Sequence, residues 1–199
     1  MIDLPEASLR FRNHIDAFTK VPDEDWRLLL PHLELKTISK NHFFIQEGKR
    51  EWQVAFVIDG ALRQYYTKDG EEKTTYFFFE NHLMGGYISC ITGKPSLVTI
   101  EALSHATYIS FPYKVLQELF DKSMAWQKFG RLLAEYLGIG LEERMVSLLL
   151  QSPEERYLEL LSGNKKKIIE RIPQHYIANY LGITAVSMSR IRNRILKNK

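Results

Sequence analysis

The sequence predicts an α+β protein in which an antiparallel β-barrel precedes a long helix and two shorter helices joined by a tight turn. Short β-branched and aromatic runs fill residues 35–112, which is typical of strands. Apolar residues then recur every three or four positions, which is helical spacing. With 199 residues and 45% hydrophobic composition, the chain has the composition of a folded protein and can bury a core.

The first element is a barrel of short strands, assigned to residues 1–122. Asp59-Gly60 lies between two of the runs and Lys68-Asp69-Gly70 follows the next, and both sequences favour hairpin turns because glycine accepts positive φ. Strands at this spacing form sandwiches or barrels. The predicted strands are HFFIQ, QVAFVI, ALRQYYT, KTTYFFF, LVTIEAL and ATYISF.

The second element is a long helix, of which residues 123–150 are assigned to dimerisation. Its apolar stripe is too long to be covered by a small barrel, so the helix of a second copy could cover the outer part. The alternative is an internal core helix. The stripe consists of Phe129, Leu132, Leu133, Tyr136, Leu137, Leu141, Met145 and Leu148.

The helix is interrupted at Gln151-Ser152-Pro153, where we place the boundary to a third unit, residues 151–199. Proline is well tolerated in the first turn of a helix, and Ser152 can cap the helix predicted from Glu154 to Leu161.

The last element is a helix-turn-helix within residues 173–195. Gly182 supplies the turn and Thr184 can cap the second helix, while small Ala178 permits close helix approach. Its predicted core is apolar: Ile177, Ala178, Leu181, Ile183, Met188, Ile191 and Ile195.

The charge distribution points to a polyanion as the partner of this unit. Residues 1–162 carry 18 Lys/Arg and 23 Asp/Glu, a net of −5, whereas residues 163–199 carry nine and one, a net of +8. Clustered positive charge favours double-stranded DNA. The alternatives are a solvated basic tail and a degenerate helix-turn-helix that docks another protein.

The predicted DNA contacts follow from the helical period of 100° per residue. Val186, Ser189, Arg190, Asn193 and Lys197 lie opposite the apolar face of the second helix and would enter a major groove, and Ala185 precedes them. Hydroxyl, amide and helix-terminal groups suit the sugar-phosphate backbone. The residues assigned to it are Gln174, His175, Thr184, Ser187 and Arg194.

These segments together resemble the Crp/Fnr transcription regulators. The resemblance rests on FVIDGALRQYY, LEERMVSLLLQSPEERYLELL and YIANYLGITAVSMSRIRNRI, and extends over essentially the whole chain. It implies a jelly-roll, cyclic-nucleotide-binding-like sensor domain, a dimerisation helix and a helix-turn-helix that reads a palindromic operator. It also implies RNA polymerase and a small-molecule effector as partners, and a base-reading arginine at Arg190.

The sequence departs from the cyclic-AMP-binding pattern. Where such members have Gly-Glu and then Arg-Ser, this chain has Gly85-Gly86 and Ser96-Leu97, so both charged ligands are missing. An effector other than cyclic AMP is therefore expected, and Lys94 in its apparent turn is a poor substitute. The effector pocket is assigned to Gly85, Gly86, Tyr87, Ser96, Val98 and Thr99.

Two more departures concern the DNA-binding unit. Residues 196–199 are too few for the β-hairpin wing usual in the family, so a full wing is not expected, and Lys165 to Lys167 could supply backbone contacts instead. Val186 replaces a glutamate that accepts from cytosine in the best-known members, so that base preference does not carry over.

Other functions fit the sequence less well. Cys90 is the only cysteine and the six histidines lack ligand spacing, so no haem, iron–sulfur cluster, zinc site or other cofactor is expected. A cupin-like barrel enzyme would need closely spaced histidines, and we predict no enzyme. No signal or membrane segment is apparent, which predicts a cytoplasmic protein.

Overall fold

The computed structural model describes residues 2–162 and 166–197; the side chains of Leu196 and Lys197 are not described. Within these ranges two helices precede eight strands, one short helix interrupts the strands, and six helices follow them. The helices are α1 Leu4–Phe18, α2 Asp23–Leu29, α3 Tyr87–Thr92, α4 Tyr113–Lys122, α5 Met124–Leu150, α6 Pro153–Ser162, α7 Lys166–Arg171, α8 Gln174–Tyr180 and α9 Ala185–Lys197, with a 3-10 turn at Leu30–His32. The strands are β1 Glu34–Ile38, β2 Phe43–Ile45, β3 Gln53–Asp59, β4 Leu62–Lys68, β5 Glu71–Phe78, β6 Leu83–Gly85, β7 Thr99–Ala102 and β8 Ala106–Pro112.

The strands form a jelly roll of two antiparallel sheets, as predicted. Their orders are β1-β8-β3-β6 and β2-β7-β4-β5. Among the residues that the structure describes, no ladder closes the two sheets into one barrel, so the predicted barrel is an open sandwich. Apolar side chains from both inner faces, including Ile45, Val57 and Ile100, fill the space between the sheets.

One of the two predicted hairpins is correct and the other is wrong. Lys68 pairs with Glu71 across a two-residue turn in which Asp69 and Gly70 both have positive φ, as a type I′ turn requires. At Asp59-Gly60, however, the chain passes from one sheet to the other, since β3 and β4 belong to different sheets. Gly60 has φ +107°, and an added Cβ would lie 2.5 Å from the Ala106 Cβ. This glycine therefore serves a close backbone approach rather than a hairpin.

The amino-terminal helix α1 was not predicted from the sequence. Asp3 caps it by accepting from the Glu6 N–H at 2.9 Å. Phe11 packs inward against the rings of Phe56 and Phe111, with centroids 4.9 and 5.8 Å away. The segment assigned to the barrel alone thus contains a helical layer that completes the core on one side of the sandwich.

Helix α5 is partly internal and partly uncovered. Its first turns are buried, with Trp126 and Phe129 at most 2% exposed, and Leu133 also packs on this core. The beginning of the predicted apolar stripe is therefore internal, because α1 and α2 cover it, and only the later part is open to a partner. Large apolar side chains are exposed farther along: Tyr136, Leu137, Ile139, Leu141, Met145, Val146, Leu148, Leu149 and Leu150.

Candidate nucleic-acid interface

The carboxyl-terminal unit contains the predicted helix-turn-helix, formed by α8, a tight turn and α9. Helix α8 begins after Pro173, which lacks the N–H that would remain unpaired there. Ile177, Ala178 and Leu181 are at most 1% exposed. They pack with residues of α6, α7 and α9 in a core that also includes Phe77 and Phe79 of the sandwich, so this face positions the first helix.

The turn after α8 is closed by two backbone hydrogen bonds. Gly182 N–H donates to the Asn179 carbonyl and Ile183 N–H to the Ala178 carbonyl, both at 3.0 Å. This is a Schellman motif, and Gly182, with φ +74°, occupies its left-handed position. A glycine at this offset was the local signal in the sequence, and it performs the predicted role.

Helix α9 begins at the predicted cap. Thr184 Oγ1 accepts from the Ser187 N–H at 3.1 Å and lies 3.0 Å from the Ser187 hydroxyl. Met188 is 3% exposed and Ile191 is 8% exposed, so the predicted inner face is buried. Ile195 packs at the edge of the same core. The rotation of α9 is thereby fixed.

The opposite face of α9 is open to solvent. Val186 is 61% exposed. Among the residues that the structure describes, no ion-pair partner faces Arg190. The predicted contact positions on α9 and at the start of α8 are exposed, apart from Ser187, which is half-buried: Gln174, His175, Thr184, Ala185, Val186, Ser189, Arg190, Asn193 and Arg194.

Several of the basic side chains are already paired. Arg194 forms a 2.8 Å ion pair with Glu154 on α6. Arg171 and Lys167 both bind Glu80 of the sandwich, at 2.7 and 3.3 Å. Burial alone would raise the pKa of Glu80, but the hydrogen bonds from Arg171 and Lys167 hold that pKa below its ordinary value. Lys167, expected as a backbone contact, thus faces the sandwich.

Lys165, the first residue of the basic run, lies outside the described residues. Of the residues after Ile195 on which the wing prediction depends, Asn198 and Lys199 lie there too. The Lys197 side chain, predicted for the groove, is likewise not described.

Two arginines that hold the motif in place were missed from the sequence. Arg156 of α6 is 8% exposed and donates to the carbonyls of Leu181, at 2.7 Å, and Ser147, at 3.3 Å. It therefore joins the end of α5 to the turn. Arg144 of α5 lies 3.9 Å from the Tyr180 ring centroid and donates to the Tyr180 carbonyl, and burial lowers its pKa. Nothing in the local pattern separates these arginines from solvated ones.

The structure brings together most of the predicted effector residues. Gly86 and Ser96 are neighbours, since an ideal Gly86 Cβ would lie 3.8 Å from Ser96 Oγ, but it would also lie 3.2 Å from Ile45 Cδ1. Ser96 Oγ donates to the Val98 carbonyl at 2.8 Å and accepts from its N–H at 3.1 Å. Protein atoms thus fill the space beside Gly86.

The remaining effector residues differ in their surroundings. Thr99 Oγ1 accepts from the Glu47 N–H at 3.1 Å, next to this site. Gly85 lies on β6, whereas Tyr87, 52% exposed, points away to solvent. Lys94 is exposed in the loop after α3. Burial raises the pKa of the Cys90 thiol to about 11, and Glu51 adds to the effect, which keeps the thiol protonated.

Over residues 2–162 and 166–197, no three His, Cys, Asp or Glu side chains are grouped as a metal site would need. Within the same ranges no helix is long and apolar enough to cross a membrane.

Comparison with known proteins agrees with this architecture. Residues 35–123 match the family described as the cyclic nucleotide-binding domain. The fumarate and nitrate reduction regulatory protein of Vibrio cholerae is 26% identical over 176 residues, which cover 82% of this chain and 69% of that protein.

Two solved structures share the fold. FixK2 from Bradyrhizobium japonicum superposes with a TM-score of 0.69 at 18% identity, covering 83% of this chain and 85% of that one. The Thermus thermophilus catabolite activator protein gives a TM-score of 0.56 at 18% identity, covering 91% of this chain and 86% of that one.

Proposed function

We propose that this chain, a member of the Crp/Fnr family of transcription regulators, acts in the cytoplasm by reading an inverted-repeat DNA site as a homodimer. The observation that carries the proposal is the exposed outer face of α9, centred on Arg190, on a helix whose cap and buried face fix its orientation. Such a helix fits the major groove, and the start of α8 lies where backbone contacts are made in this motif.

The exposed half of α5 supports a second copy as the partner. Leu137, Leu141, Met145 and Leu148 lie along one side of the helix, and each is at least 39% exposed. Leaving such a stripe in water is unfavourable, and pairing two α5 helices about a two-fold axis would bury it. Two helix-turn-helix units related in this way would contact half-sites whose centres lie about 34 Å apart.

The jelly roll is proposed to be a sensor whose effector is not cyclic AMP. Position 96, where the cyclic-AMP-binding members have arginine, holds Ser96, whose Oγ is engaged with the Val98 backbone, and the next residue is the exposed Leu97. A buried phosphate needs charged or multiple donors. Another small molecule that displaces Ile45 from Gly86 would suit this region. RNA polymerase is the expected protein partner on DNA.

The proposal is tested by selecting bound duplexes from a random library. The affinity of the protein for the most enriched duplex is then measured over a range of salt concentrations. We expect an inverted repeat, and log K that falls linearly with log salt because phosphate contacts release counterions. Failure to enrich any duplex would favour the alternative of a protein-docking module without DNA affinity.

A further inference from the structure

The DNA-binding unit is attached to the sensor domain at an exposed strand edge. Strand β5 lies at the end of its sheet, so one side of its backbone lacks a neighbouring strand. Asn179 of α8 occupies that side: its Oδ1 accepts from the Thr74 N–H and its Nδ2 donates to the Glu72 carbonyl, both at 2.6 Å. The side-chain amide of Asn179 thus pairs with the Thr74 N–H and the Glu72 carbonyl, as the backbone of another strand would.

A second contact lies one helical turn away on α8. Arg63 of β4 is 3% exposed, and its guanidinium carbon lies 3.9 Å from the ring centroid of Tyr176. The same guanidinium donates to Glu101 of β7 through Nε, at 2.9 Å, and Nη2, at 2.8 Å. Since β7 begins at Thr99, beside the predicted effector region, this contact joins that region to the helix-turn-helix.

These contacts leave the proposed DNA surface free. Tyr176 and Asn179 are partly buried against the sandwich, whereas Gln174, His175 and the outer face of α9 remain exposed. Docking therefore does not block the groove-reading side chains. What it fixes is the orientation of the unit relative to its own sensor domain.

We propose that Asn179 and Tyr176 are positioning residues that hold each DNA-binding unit in the orientation in which a dimer engages both halves of its operator. The inference rests on the proposed function. When one half-site is bound, the second contact is intramolecular, and its strength depends on the effective concentration of the second unit at its half-site. Loosening the attachment lets that unit adopt orientations that do not fit its half-site, although its own DNA-contacting surface is unchanged.

The experiment compares two duplexes: the inverted repeat selected by the wild-type protein, and the same duplex with one half scrambled. Asn179→Ala removes the strand-edge bonds and Tyr176→Leu removes the ring from Arg63. We expect each variant to bind the full repeat roughly five- to tenfold more weakly and the single half-site as the wild type does. Tyr176→Phe, which keeps the ring, and Asn13→Ala, the same change at an exposed site on α1, should match the wild type on both duplexes.

Hydrogen exchange supplies a readout without DNA, because the Thr74 amide should lose protection in Asn179→Ala and keep it in Asn13→Ala. Unchanged protection in Asn179→Ala would overturn the proposal. Equal losses on full and half-sites would assign the residues a merely structural role, and tighter binding of the full repeat would mean that docking opposes DNA binding. Either result refutes it. A wild-type protein that enriches no duplex would instead refute the proposed function.

Discussion

Arg190 combines exposure, position and chemistry that favour base recognition. It lies on the side of α9 opposite Met188 and Ile191, which are buried. Its guanidinium presents paired donors that match O6 and N7 of guanine, a geometry that lysine cannot reproduce. Arg194 differs, because Glu154 already holds it at the flank of the motif.

Substitution of these two arginines should separate base reading from backbone contact. Arg190→Ala is expected to cost about 1 to 3 kcal/mol on the selected duplex and to relax the preference at one base pair in each half-site. Arg194→Ala should weaken binding to all DNA sequences alike and make the slope of log K against log salt shallower by about one unit. Binding titrations on matched and single-mismatch duplexes measure both effects. If Arg190→Ala lowers the affinity for matched and mismatched duplexes equally, Arg190 contacts phosphate and not a base.

Gly60 is a residue whose role only the structure reveals. Gly60→Ala should lower the free energy of unfolding by about 1 to 3 kcal/mol, since the new methyl group would collide with Ala106 and the backbone has φ +107°. Gly70→Ala is the matched control: its φ is +79°, but no atom lies within 4 Å of an added Cβ. Urea denaturation should therefore show the smaller loss for Gly70→Ala. Equal losses would mean that strain alone matters at Gly60.

At the scale of elements, what could be predicted depended on whether the determinants are local. The turn at Gly182, the cap at Thr184 and the inner face at Ile177 lie within a few residues of each other, and the helical period orders them. The hairpin at Asp69-Gly70 is equally local. The sequence therefore placed six of the eight described strands of the sandwich, all but β1 and β6, and both helices of the helix-turn-helix.

Determinants that join distant segments were missed. Asp59-Gly60 has the composition of a hairpin, but whether the chain returns to the same sheet depends on the partners of β3 and β4 far along the sequence. The place of α1 in the core depends on the packing of Phe11 on Phe56, and the role of Arg156 depends on carbonyls that α5 and the turn present. Asn179 is 105 residues from Thr74, and no pattern in α8 indicates that pairing.

Helix α5 allows a test of the dimer that spares the fold of the monomer. Leu141 is 72% exposed, so Leu141→Glu should leave the free energy of unfolding of each chain little changed, yet it would place a charge in the two-fold seam. We expect light scattering to show a dimer for the wild type and a monomer for the variant. Leu9→Glu, at a 59% exposed position on α1, should remain dimeric. A wild-type protein that is monomeric and still binds the inverted repeat with full affinity would refute the dimer proposal.

At the scale of the whole molecule, the identity of the effector depends on which polar groups of a ligand the sandwich can take out of water. Calorimetry with cyclic AMP should give no binding in the micromolar range, because a buried phosphate without an ionic partner loses several kcal/mol, by order of magnitude. Ser96 can offer at best one neutral donor, and that hydroxyl is engaged with Val98. A micromolar dissociation constant together with stimulated DNA binding would refute this expectation.

The attachment of the carboxyl-terminal unit to the sandwich should also depend on pH through Glu80. This carboxylate accepts from the Gly60 N–H at 3.2 Å and binds Arg171 and Lys167 across the domain contact. Although burial opposes ionisation, those cations keep its folded pKa below the ordinary value. A depressed carboxylate pKa stabilises the docked state above the unperturbed pKa of about 4.3, and that stabilisation is lost as the pH falls through the folded value.

Small-angle X-ray scattering from pH 7 down to acid should therefore show an extended molecule appearing as Glu80 becomes protonated, and Glu80→Gln should be more extended already at pH 7. Glu71 provides the control, since Lys73 lowers its pKa within the same strand and neither group reaches across the domain contact. Glu71→Gln should follow the wild-type profile. If Glu80→Gln also follows that profile, the ion pairs are not needed to hold the two units together, and the strand-edge bonds of Asn179, the ring contact of Tyr176 and the apolar contacts of Phe77 and Phe79 suffice to keep them docked.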